Sequence, residues 1–164
     1  MSSVLSDQYR RWYQYEKDVH RQVLDSLASV PEEGRGSAPY QKALDLMGHI
    51  VAARRMWLHR IDPANERPPA VFPNGTTLDG LRADLDAIEQ KWTDYLTRLT
   101  EPELSRMLEF KTMDGLEFRS VIVDVLTQLS AHSNYHRGQI ATLVRASGGE
   151  PAKTDFIFWC RQQN

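Results

Sequence analysis

Cysteine is nearly absent from this chain: one residue, Cys160, in 164. A lone cysteine cannot close an internal disulfide, and its scarcity fits a reducing cytoplasm. Basic blocks are also missing. Twenty Lys and Arg are scattered against 22 Asp and Glu, for a formal charge of -2, so there is no phosphate-binding stripe and nucleic acid is not the expected partner. No apolar run reaches membrane-spanning length, and the opening "MSSVLSDQYRRWYQYEK" has no apolar stretch of signal-peptide type. No internal repeat or low-complexity tract interrupts the chain. What remains is ordinary globular composition, 41% apolar and 26% charged, in a length suited to a single domain over residues 1–164.

Apolar periodicity then organises the chain. Tyr9, Trp12, Tyr13, Glu16, Val19, His20, Val23 and Leu27 share one face of a first helix. "PEEGRGSAP" breaks it with Pro and Gly and reads as a connection. A second helix is expected from about Pro39 to Ile61. The stretch "DPANERPPAVFPNG" follows, with four prolines and no period. It is too long for a turn between adjacent helices and reads as a crossover along the molecule. A third helix, capped by Thr76 or Thr77, carries the stripe Leu81, Leu85, Ile88, Trp92, Tyr95 and Leu99. In "LEFKTMDGLEFRS" the period changes to two around Asp114-Gly115, the signal of a two-residue hairpin. A fourth helix is expected from about Arg119 to Ala146, with Gly148 and Gly149 at its C-terminal cap. "TDFIFWCRQ" reads as a short terminal helix. The fold class is all-α: a four-helix bundle with a long crossover, a β-hairpin before the last long helix and a short C-terminal helix.

Two residues interrupt the fourth stripe. At about 100° per residue, Ile122, Leu129, Ile140 and Leu143 fall within roughly 60°; His136 lies inside that arc and His132 about 20° beyond it. A spacing of four puts both rings on one side, one turn apart, within reach of one ion. The bland reading is a pair of hydrogen-bonded core histidines, yet an unpartnered buried imidazole costs roughly 1–3 kcal/mol, which a shared metal would offset for both. Ser133 follows His132 where zinc proteases have Glu, so that reading fails. A third ligand is needed. His49 lies at the edge of the second helix's apolar arc near Asp45, Ala53 and Met56. His20 lies mid-face on the first helix, beside Glu16, and periodicity favours it slightly. His59, among Arg54, Arg55 and Arg60, reads as surface.

"HSNYHRGQIATLVRASGGEPAKTDFIFW" resembles the C-terminal signature of the DinB family, damage-inducible-type metal-dependent proteins: His, three residues, then His-Arg-Gly-Gln, a Gly-rich turn and Asp-Phe. "LMGHIVAARRMWLHRI" is similar to the family's second-helix motif, and the order of elements matches along nearly the whole chain. The resemblance implies an up-down-down-up bundle with metal ligands at His49, His132 and His136, overruling His20. The family often has Asn at the position of His20, which leaves that residue as a fourth ligand or a neighbour of the cavity, together with Glu16 and Asp45.

Three imidazoles would leave a divalent ion charged and one position open, as in catalytic zinc sites. Zinc or nickel suits such donors better than magnesium or calcium. Relatives in the wider superfamily use the metal to activate a low-molecular-weight thiol, so a thiol S-transferase acting on a small molecule is the expected activity; a non-catalytic metal-binding protein is the alternative. Tyr135, Arg137 and Gln139 flank the ligands: Gln139 is placed to orient one, and Arg137 to reach Asp155. Trp12, Phe156, Phe158 and Trp159 are candidates for a homodimer face. The family's name brings DNA damage to mind, but the acidic balance argues against DNA binding.

Overall fold

The computed structural model describes residues 4–162. Four long helices are built from the four stripes: α1 (Val4–Ala28), α3 (Ala38–Ile61), α4 (Leu78–Thr97) and α6 (Ile122–Ala146). Single-turn helices α2 (Glu32–Arg35) and α5 (Glu101–Leu104) and the short α7 (Phe156–Cys160) complete the helical set among the described residues. Strands β1 (Met107–Lys111) and β2 (Glu117–Val121) pair antiparallel, Met107 opposite Val121 and Lys111 opposite Glu117.

Long-range bonds give the direction of each helix. Tyr9 meets Val123 near the start of α6, and Ser26 meets Glu150 beyond its end, so α1 and α6 run parallel. Arg10 reaches the carbonyls of Leu96 and Leu99 while Arg21 reaches Glu89, so α4 runs against α1. Ser37 meets Ser147, and His49 meets His132, which sets α3 against α6. The course is up-down-down-up. Parallel α3 and α4 require residues 62–77 to travel back along the bundle, and they do. Asn65 lies at His59, Val71 at His49 and Thr76 at Asp45, a strap descending one flank of α3.

The caps follow the residue chemistry. Ser37 caps α3 and Thr77 caps α4, accepting from the amides of Tyr40 and Gly80. Gly148 ends α6 at φ +83°, where a side chain would be strained, and the amides of Gly148 and Gly149 close onto Arg145 and Val144. The core is formed by Leu27, Met47, Ile50, Leu81, Leu85, Trp92, Ile122 and Ile140 with their neighbours.

Three expectations need correction. The fourth helix starts at Ile122 rather than near Arg119, because β2 claims residues up to Val121. The hairpin connection has three residues rather than two: Thr112 and Leu116 close it, and Gly115 sits at φ +84° after a turn. That is a type I turn with a bulge, which Asp-Gly serves as well as the shorter loop. Finally, "PEEGRGSAP" contains the helical turn α2. Its Gly34 lies so close to Ser147 that a Cβ there would stand 2.2 Å from the Ser147 carbonyl oxygen.

Of the aromatics expected at a dimer face, Trp12 packs edge-on against Tyr9, and Phe156 and Trp159 pack against Tyr15; Phe158 is exposed.

Candidate metal centre

His49, His132 and His136 meet between α3 and α6, with one ring nitrogen of each within 4.8 Å of the others. They are the only such group of potential ligands among the described residues. His49 is buried, whereas His132 and His136 are half-buried, so the cluster sits in the wall of the bundle with one side open. His49 Nε2 lies 3.0 Å from His132 Nε2, and the ring centroids of His132 and His136 lie 4.5 Å apart.

Each orientation has a cause. The Val71 carbonyl can only accept, so His49 Nδ1 donates to it at 2.6 Å and Nε2 keeps its lone pair toward His132. The Phe72 ring stacks on His49 at 4.4 Å and 9°, although the side chain is 74% exposed. The crossover strap therefore holds this imidazole from two sides. His136 Nδ1 donates to Gln139 Oε1 at 2.7 Å, one turn along the same helix, which aims its Nε2 inward. Gln139 thus orients a site histidine, as its position in sequence suggested.

Burial pushes the His132 pKa down to about 4, helped by the positive potential of His136, His49 and Arg54. His49 is lowered too, chiefly by burial. Both rings are neutral at pH 7, the state that binds a metal. The donor set fits a divalent ion. Imidazole nitrogens sharing a tetrahedral ion at roughly 2.0–2.1 Å stand about 3.3 Å apart; here His49 and His132 stand 3.0 Å apart and the whole group lies within 4.8 Å.

The other candidates are engaged elsewhere. Asp45 Oδ1 accepts from the Thr76 amide at 2.9 Å and from Gln41 at 3.0 Å, pinning the end of the strap to α3. Glu16 and His20 face a different group. Glu16, 1% exposed, receives Arg137 Nη1 at 2.6 Å and the Arg54 guanidinium on its other oxygen; His20 Nε2 stands 3.8 Å from it. Arg54 also donates to Ser133, and Arg137 to the Tyr15 hydroxyl, which in turn donates to the Thr154 carbonyl. Burial, then Arg54 and Arg137, hold the His20 pKa well below the ordinary value. Two guanidinium groups disfavour a cation there, and neither His20 nor Glu16 belongs to the histidine group.

Arg137 accordingly does not reach Asp155. It points into the bundle, where the Glu16 carboxylate and the Tyr15 ring receive it, while Asp155 stays exposed. Arg54, which "ARRMW" makes look like a surface residue, is 3% exposed for the same reason. His59 is half-buried, its Nδ1 on the Asn65 carbonyl at 2.8 Å. Ser133 and Arg137 occupy the centre of the α6 core face, so His132 and His136 stand on its flank.

The open side of the cluster continues into a cleft of about 280 Å³ between α3, α6, the strap and the hairpin loop. Ala53, Met56, Trp57, Val71, Met113 and Leu129 give it an apolar floor, and Arg60 and Gln128 supply polar groups.

Compared with known proteins, residues 1–163 match the model of the DinB family. No curated protein and no solved structure matches the chain. No described helix is long and apolar enough to cross a membrane.

Proposed function

Because this chain belongs to the DinB family, a metal-dependent helical family, we propose that His49, His132 and His136 hold one divalent transition ion, zinc or nickel, in a small-molecule enzyme of the thiol S-transferase type. The observation that carries this reading is the conjunction of three convergent imidazoles, no carboxylate in the group, and an adjoining cleft. An ion bound by neutral donors keeps its charge and can stabilise a thiolate at neutral pH.

The chain's own residues do the rest. Val71 and Gln139 hold two ring tautomers, so little reorganisation accompanies loading. The cleft receives the substrate's apolar part and excludes water from it. Behind the ligands, Arg54 and Arg137 clamp α1, α3 and α6 on Glu16, which fixes the spacing of the helices that carry them.

A non-catalytic role is favoured by one observation: the ligands come from α3 and α6 alone, so an ion would also staple those helices. The cleft beside the ligands weighs toward catalysis.

Protein purified without chelators should contain about one transition-metal ion per chain, and His136→Ala should lose most of it. Metal-free protein from a gentle preparation would sink the site. Metal-dependent turnover with panels of thiols and small electrophiles supports the transferase; full metal content with no turnover supports the staple.

A further inference from the structure

Arg60 stands in the last turn of α3, in the wall of the cleft that opens on the histidines. Its guanidinium lies 4.6 Å from the Trp57 ring centroid and 4.7 Å from that of Phe110, so two aromatic rings set its position. A guanidinium has five N–H donors; among the described residues one bond is made, from Nη2 to the Lys111 carbonyl at 3.1 Å. The charged neighbour that bears on it is Arg67, another cation.

Every other buried or half-buried arginine among the described residues has an acid. Arg54 and Arg137 have Glu16, Arg106 has Glu103, Arg55 has Asp84 and Arg10 has Asp7. Arg60 has a backbone carbonyl and two ring faces. A second hollow of about 260 Å³ adjoins the first at Arg60, Met56, Thr112 and Met113, and Arg67, His59, Lys111 and Glu109 line its outer part. The groove therefore runs from His49 and His132, over an apolar floor, to a half-buried guanidinium that no described acid pairs.

From this arrangement we infer that the cleft binds a small molecule with an apolar body and a terminal carboxylate, its carboxylate on Arg60 and its other end at the histidine cluster. This rests on the reading of the cleft as a substrate site, and it adds the substrate's charge and its direction. The guanidinium can meet a carboxylate through two parallel N–H···O bonds, which an amide cannot match. Arg60 is then a binding and positioning residue, remote from the reacting atoms.

The test compares 4-phenylbutyrate with its uncharged amide by calorimetric titration of metal-loaded protein at low salt. The carboxylate should bind about tenfold or more tightly than the amide. Arg60→Gln should reduce carboxylate affinity to that of the amide, and Arg60→Lys should restore part of it, with metal content unchanged. Equal binding of the two probes to the unaltered protein overturns the inference and requires no variant, so a poorly folding Arg60→Gln cannot rescue it. Arg60→Gln that folds, keeps its metal and binds the carboxylate as before also overturns it. Repeating the titration on His136→Ala separates the two readings: carboxylate preference that persists without metal leaves the Arg60 assignment standing alone.

Discussion

Glu16 Oε1 accepts a hydrogen bond from Arg137 Nη1 at 2.6 Å across 121 residues of chain, while its other oxygen takes the guanidinium of Arg54. One carboxylate thereby joins α1, α3 and α6 at a place with almost no solvent. Two cations and one anion leave an excess positive charge, which the faces of Tyr13 and Tyr15 help to hold.

Removing the anion alone should be severe. Glu16→Gln leaves two buried guanidinium groups without a counter-charge and should cost about 3–5 kcal/mol in urea unfolding. Replacing all three, as Glu16→Leu with Arg54→Met and Arg137→Met, should cost less than the single change. A triple variant less stable than Glu16→Gln would show that the ion group itself contributes net stability.

That group marks where sequence reading stops. Periodicity located the four long helices because their apolar stripes are what packs, and Pro and Gly marked the breaks. The spacing of His132 and His136 was legible because i, i+4 puts two rings on one side whatever the tertiary context. The third histidine of the cluster was not: His20 and His49 both sit on apolar faces against α6, and only the tertiary packing, absent from local pattern, decides that His49 meets His132 and His136 while His20 meets Arg137. Family resemblance chose His49, and the fold brings it there. Arg54 and Arg137 escaped because a buried arginine looks like a surface one until its acid is found. Glu16 inside the first apolar stripe was the available signal.

Gly34 and Gly36 make a paired test of the connection after α1. A Cβ on Gly34 would meet the Ser147 carbonyl oxygen at 2.2 Å, and backbone cannot turn aside as a side chain can; nothing lies within 4 Å of one on Gly36. Gly34→Ala should destabilise by roughly 1–3 kcal/mol through overpacking. Gly36→Ala should stay within about 0.5 kcal/mol of the parent. Equal thermal midpoints for the two variants would contradict the close approach of α2 to the end of α6.

Stability should fall as pH drops below the ordinary histidine range. His20 is fully buried, and burial with Arg54, Arg137 and Arg21 against it keeps the folded protein from protonating it; Glu16 is its neighbouring anion. The unfolded chain takes up that proton near pH 6.5, so below this value it binds more protons and unfolding becomes easier. His49 and His132 act in the same direction, His132 until about pH 4. Metal-free protein should therefore show a lower urea midpoint at about pH 5 than at about pH 7.5, with a slope of at most ~1.4 kcal/mol per pH unit from each histidine. His20→Asn should flatten part of that slope and leave the rest. An unchanged slope in a folded His20→Asn would mean that His20 is protonated in the native state.

Gln139 offers the sharpest separation of ligand orientation from ligand identity. It touches the cluster only through His136 Nδ1, at 2.7 Å. Gln139→Leu keeps all three imidazoles but frees one ring to rotate and to choose the wrong tautomer. Metal affinity should fall about 10–100-fold, the usual effect of losing such a partner, with little change in thermal midpoint of the metal-free protein. Gln139→Glu keeps an acceptor and adds a charge that makes the imidazole a stronger donor to the ion, so it should bind metal at least as tightly as the parent at neutral pH. Competition against a chelator of known affinity measures both. If leucine and glutamate at this position gave the same affinity, the Nδ1 bond would not be what aims His136, and packing against His49 and Tyr135, whose ring lies edge-on at 5.0 Å, would have to fix the ring instead.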